Sequence, residues 1–155
     1  MKKLLVLLFS ILISFNSWGE TICVETDTQV RDGIIYLTTS DGVEPFTGKD
    51  VCKYENGQKK AEVNFKDGKQ DGKLTEWHEN GQISAEATYK DGKIEGKRTW
   101  WHENGQISAE ATYKDDNLIS KTDYYYYENG QIRTEENYKD GKLDGVYNSW
   151  YENGQ

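Results

Sequence analysis

Apart from one stretch at its start, this 155-residue sequence has no long apolar run, so nothing later in the chain offers the roughly 20 apolar residues a membrane-spanning helix needs. It also lacks any dense cluster of Lys and Arg. Its 19 basic residues stand against 27 acidic ones, for a formal charge of -8. Phosphate-rich partners require clustered cations, which argues against nucleic acid and anionic lipid as targets. Catalytic motifs are missing as well: there is no nucleophile elbow, no phosphate loop, no zinc-ligand pair, and no Cys and His that a fold would join. Glycoside hydrolysis has no motif to find, but the acids here recur with the period described below, as surface decoration does. The sequence is therefore expected not to be an enzyme and to use no cofactor.

The single apolar run extends from Leu4 to Phe15, preceded by Lys2 and Lys3 and followed by Ser17, Trp18 and Gly19. A basic start, an apolar middle and small residues at one and three positions before a cut after Gly19 are the layout of a secretory signal peptide. The run is short for a bilayer span, so no stable membrane insertion is expected once residues 1–19 are removed. The expected location is secreted, periplasmic or at the cell surface. Cleavage removes two lysines and no acid, leaving the mature chain still more acidic. Cysteine is scarce: only Cys23 and Cys52 occur. In an exported chain a lone pair is most simply one disulfide, with two free thiols as the alternative.

Against these absences stands a strong internal repeat. Glu-Asn-Gly-Gln begins at Glu55, Glu79, Glu103, Glu128 and Glu152, at intervals of 24, 24, 25 and 24 residues. Between these lie Lys-Asp-Gly at Lys66, Lys90 and Lys139, with Lys114, Asp115, Asp116 in the equivalent place. A third mark is a glycine at Gly48, Gly72, Gly96 and Gly145. Asn-Gly suits a two-residue turn with positive φ at both central residues, and Asp-Gly with a later Gly reads as a longer connection. Each repeat is thus expected to supply two strands and two turns. Ile83 to Lys90 alternates apolar and polar residues, which is strand periodicity and not helical. Its copies run from Lys59, Ile107 and Ile132. The strand before each Asn-Gly is aromatic, as pleated half-buried surfaces favour.

Stacking the copies predicts columns. Phe65, Tyr89, Tyr113 and Tyr138 form one; Ala61, Ala85, Ala109 and Thr134 another; Tyr54, His78, His102, Tyr127 and Tyr151 a third. The expected fold is all-β, an elongated single-layer antiparallel sheet of tandem hairpins on the order of 40 Å long. The expected divisions are a signal peptide over 1–19, an N-terminal cap and degenerate first repeat over 20–48, and tandem repeats over 49–155.

The pattern Tyr-Lys-Asp-Gly-Lys followed by Gly and then Asn-Gly-Gln resembles the MORN repeat, in the bacterial variant of the YwqK-type antitoxin-like repeat proteins. The likeness runs from about Gly33 onward, with Pro45, Phe46, Thr47 and Gly48 resembling a degenerate first repeat. It implies a hairpin stack and protein binding of an antitoxin or immunity type, and brings no catalytic residues. The sequence departs from the pattern around Asp115, where Asp116 and Ser120 replace glycines and one residue is inserted, so a bulge or altered loop is expected there.

His78 and His102 share a column with tyrosines and are read as structural rings, not metal ligands. Asp67, Asp91, Asp115 and Asp140, with Asp71, Glu95 and Asp144 nearby, form acidic columns too widely spaced to converge on one calcium ion; they are read as solvated turn residues. That leaves binding. Trp77, Trp100, Trp101, Tyr124, Tyr125, Tyr126 and Trp150 exceed what packing one face requires, and aromatic residues are enriched at protein hot spots. They are expected to form one aromatic face for a protein partner, which the net charge favours being basic. Self-association through open sheet ends, as in a structural surface protein, and carbohydrate binding are the alternatives.

Overall fold

The computed structural model describes residues 28–155; the expected signal peptide and Cys23 lie outside them. Every element is a strand. A small antiparallel sheet comprises β1 (Thr28–Arg31), β2 (Ile34–Thr39) and β3 (Gly42–Pro45). The rest builds one large antiparallel sheet from β4 (Gly48–Lys53), β5 (Lys59–Lys66), β6 (Lys69–Trp77), β7 (Ile83–Lys90), β8 (Lys93–Ile94), β9 (Gly96–Trp101), β10 (Ile107–Lys114), β11 (Asn117–Tyr126), β12 (Ile132–Lys139), β13 (Lys142–Leu143) and β14 (Asn148–Ser149). Strands follow one another across it in chain order, as a stack of hairpins must.

The turn chemistry is the reverse of the expectation. Both residues of each Asp-Gly turn have positive φ, as at Asp67 and Gly68 (51° and 78°) or Asp91 and Gly92 (50° and 85°). With Lys66 opposite Lys69 and Lys90 opposite Lys93, these are the two-residue turns that match strand twist. At the Asn-Gly tips only the glycine is left-handed. Gly57 N–H donates to the Tyr54 carbonyl at 2.9 Å and Tyr54 N–H to the Gln58 carbonyl at 2.8 Å, so the loop is three residues, Glu55 to Gly57. Asn56 Oδ1 accepts from Gln58 N–H at 2.9 Å. That bond holds Asn out of the left-handed region and leaves it to Gly.

Three of these turns, at Asp67, Asp91 and Asp115, are also pinned to the preceding repeat. Asp67, Asp91 and Asp115 donate their N–H to the side chains of Thr47, Asp71 and Glu95 at 2.9, 3.3 and 3.1 Å. The next residues, Gly68, Gly92 and Asp116, donate theirs to the carbonyls of Phe46, Gln70 and Ile94 at 2.7, 2.8 and 3.1 Å. Of the acidic residues noted in the sequence, Asp71 and Glu95 thus have a structural use. The first of these turns also receives the small sheet: Ile35 N–H donates to the Gly68 carbonyl at 2.9 Å, and Phe46 N–H to the Ile35 carbonyl at 2.8 Å.

Antiparallel partners share a face, so register assigns the two sides. One carries Ala61, Ala85 and Ala109 with Val63, Leu74 and Ala87, all buried. Ile35, at 2% exposure, packs with Val63, Phe65, Leu74, Ala87 and Tyr89, and Phe46 adds its ring 5.7 Å from that of Phe65. The thickest part of the core is therefore where the small sheet meets the first repeats. The other side is a charged ladder, with Lys49–Glu62 at 2.7 Å, Lys73–Glu86 at 2.5 Å and Lys97–Glu110 at 2.5 Å. Exposed pairs of this kind contribute about 0–1 kcal/mol each; they keep that side solvated more than they stabilise it.

Candidate functional site

The ring column before the tips is a hydrogen-bonded ladder. Tyr54 Oη donates to the Trp77 carbonyl at 2.6 Å and Tyr127 Oη to the Trp150 carbonyl at 2.8 Å, each one repeat onward. His78 Nε2 lies 2.9 Å from the Trp101 carbonyl and so carries the proton. Both histidines are ring members, as expected from the tyrosines that share their place. His102 differs. Its ring meets the Tyr126 ring edge-on at 6.1 Å and 83°, and Tyr126 Oη turns back to the Ile107 carbonyl at 2.7 Å.

A change of register explains the break. Through the first repeats one row runs straight across the sheet: Ala61 opposite Glu76, Glu76 opposite Ala85, Ala85 opposite Trp100, Trp100 opposite Ala109. Ala109 then meets Asp123, but the next member of the alanine column, Thr134, meets Tyr125. The fourth hairpin has slid two residues along the strands, roughly 7 Å at the rise of a β-strand. Two departures in the sequence add up to this slide. In regular repeats two extra residues are looped out after the Asp-Gly turn, for example Asn64 facing Asp71 to Lys73 between the pairs Phe65–Gln70 and Val63–Leu74. In the fourth repeat, which lacks the permissive glycine, only Ile119 is extra, between Tyr113–Leu118 and Thr112–Ser120. This is the bulge expected there. One residue saved and one inserted make two, and an even slide keeps every later side chain on its proper face.

The step leaves a groove of about 800 Å³ between the tips of the third and fourth hairpins, within the size range of ligand sites. Tyr124, Tyr125 and Tyr126 line it, together with His102, Glu128 and Arg133. Burial raises the Tyr124 and Tyr126 pKa values above the ordinary 10.0, and for Tyr124 the carboxylates Glu110 and Glu135 add to it. Both hydroxyls therefore stay neutral. Tyr125, on the alanine side, is 43% exposed.

The seven aromatic residues singled out in the sequence do not make one face. Neighbours in a strand point to opposite sides, so Trp100, opposite Ala109, and Trp101 are on different sides, as are Tyr124 and Tyr125. Arg98 lies 4.8 Å over the Trp100 ring and Lys59 5.3 Å over that of Trp77. Trp150 is half-buried and accepts the Tyr127 bond. Of the seven, the groove gathers the three tyrosines. His102 was read in the sequence as a structural ring, and Glu128 and Arg133 were not proposed as site residues; the 25-residue interval between Glu103 and Glu128 marks the place where they meet. Cys52 is 3% exposed and engaged, and its expected partner Cys23 lies outside the described residues. No cluster of metal-ligating side chains occurs among the described residues, and no helix among them is long and apolar enough to cross a membrane.

A stepped stack of β-hairpins with period near 24 residues defines a repeat-built sheet protein. The MORN repeat variant matches residues 51–67, 70–91, 94–115 and 124–140, together half of the chain, and the chain belongs to that family. No curated protein is similar to it in sequence. Among solved structures it is similar to a point mutant of S. aureus TarM in complex with fondaparinux, alpha-GlcNAc-glycerol and UDP, at 9% identity and a TM-score of 0.35 over 71% of this chain and 22% of that one. It is also similar to the GtfA/B complex bound to UDP and GlcNAc, at 13% identity and a TM-score of 0.27 over 82% and 24%. A third is accessory secretory protein 1, 2 and 3 of Streptococcus pneumoniae, at 15% identity and 0.24 over 88% and 22%. The chain spans less than a quarter of the length of each.

Proposed function

We propose that this protein is an exported, non-catalytic interaction module that holds a protein partner of basic character, in the manner of an immunity or antitoxin protein. The single observation behind this reading is the break in an otherwise self-satisfied stack. Elsewhere the column rings donate to the next repeat, whereas at the step the tyrosines line an open groove. Export rests on the layout of residues 1–19, and the basic character of the partner on the net charge of -8, which steers oppositely charged proteins.

The test is affinity capture from the exported fraction of the native cell, with the intact protein and its Tyr125→Ala variant side by side. A protein retained by the first and lost by the second supports the reading. Equal recovery on both, or signal-bearing protein found only in the cytosol, sinks it.

A further inference from the structure

We infer that the groove at the step takes a cationic side chain, arginine or lysine, from a segment of the partner. This deepens the reading above and rests on it. The pattern is already present within the fold. Arg98 covers Trp100, Lys59 covers Trp77, Lys60 lies 5.8 Å over Tyr54 and Arg31 6.0 Å over Tyr36. Rings at the surface of the two sheets are thus repeatedly capped by a cation, an arrangement in which the positive charge is attracted to the ring face. Among the described residues no cation lies over Tyr124, Tyr125 or Tyr126.

Tyr125, 43% exposed on the alanine side, offers the open ring face. Tyr126 is anchored through its hydroxyl to the Ile107 carbonyl, and Tyr124, on the opposite side from Tyr125, interacts with Glu110. At the rim, Glu103 and Glu128 make no ion pair among the described residues, whereas Asp123 is occupied by Lys121 at 2.8 Å. Arg133, also at the rim and without an ion pair there, suits an acidic or carbonyl group flanking the cation. The Tyr125 ring face with two unpaired carboxylates complements a guanidinium or ammonium group on a flexible stem.

Titration of the intact protein with a peptide of alternating arginine and glycine, against the same peptide with citrulline in place of arginine, separates charge from shape. The expected result is binding of the arginine peptide at least tenfold tighter than the citrulline peptide. That advantage should fall about tenfold in Tyr125→Ala and in Glu128→Gln, and be untouched in Glu79→Gln at the second tip. Thermal melts of each variant establish that it is folded. Equal binding of the two peptides, or binding of chitotetraose in their place, overturns the inference. If the captured partner is lost by Tyr125→Ala but the arginine peptide neither binds nor competes, the protein-binding reading stands and this one falls.

Discussion

Tyr125 stands opposite Thr134, two residues further along its strand than Asp123, which stands opposite Ala109. The offset is even, and Thr134 remains in the buried alanine column at 4% exposure. An odd offset would have turned it, and everything after it, to the other side.

Two single-residue deletions should therefore behave differently. Removing Ile119 takes out the bulged residue and leaves the pairs on both sides of it in register. Stability is expected to change by about 1 kcal/mol or less. Removing Tyr124 makes the slide odd and exposes Thr134, so the fourth hairpin should open. Hydrogen exchange over residues 132–139 reads the difference: protection kept in the first, lost in the second.

Gly68 and Gly33 have nearly the same φ, 78° and 75°, but different surroundings. A Cβ on Gly68 would lie 2.5 Å from the Ile35 carbonyl oxygen, whereas nothing lies within 4 Å of one on Gly33. Gly33→Ala is expected to cost about 1–2 kcal/mol, the ordinary penalty for an L-residue in this region. Gly68→Ala adds a backbone clash and should cost about 3 kcal/mol or more, with loss of the small sheet's docking. Denaturant unfolding of the two variants tests the contrast.

Stability should have a limb at each end of the pH scale. The Tyr138 hydroxyl donates to Glu136 at 2.7 Å, and that bond pushes its pKa up from 10.0 to about 12. Its contribution is complete below pH 10 and is lost as pH rises through 12. Glu62 runs the other way. Its bonds to Lys49 and Lys59 lower its pKa from 4.5, so its contribution is present above that value and is lost as pH falls below it. Tyr138→Phe should flatten the alkaline limb and Glu62→Gln the acid one in thermal melts across pH. Unchanged limbs would remove these groups as the cause.

A Cys23–Cys52 disulfide predicts that the unreduced protein takes up no alkylating reagent until it is unfolded and reduced. Cys52→Ser should then cost about 3 kcal/mol, as expected for closing a loop of this length. Alkylation of both thiols without reductant would refute the bond.

The strands and the repeat were legible because alternation and turn residues are local properties, written again in every copy. The turn types were exchanged for a reason just as local: the Asn56 side chain bonds Gln58 N–H and fixes a three-residue loop, a competition that the dipeptide Asn-Gly does not display. The groove was only half legible. The inserted residue and the absent glycines marked the fourth repeat, but their sum depends on how many residues each bulge absorbs. The expectation of one aromatic face failed because Trp100 and Trp101, or Tyr124 and Tyr125, are adjacent in sequence and opposed in space.

By itself the order of residues determined the hairpin stack, its period and its alternating faces, since each copy carries its own turns and its own periodicity of two. Only the tertiary structure decided that two irregularities combine into a slide of two residues and open a tyrosine-lined groove. Register is a relation between strands, and the pairing of Asp123 with Ala109 and of Tyr125 with Thr134 exists only once the sheet has formed.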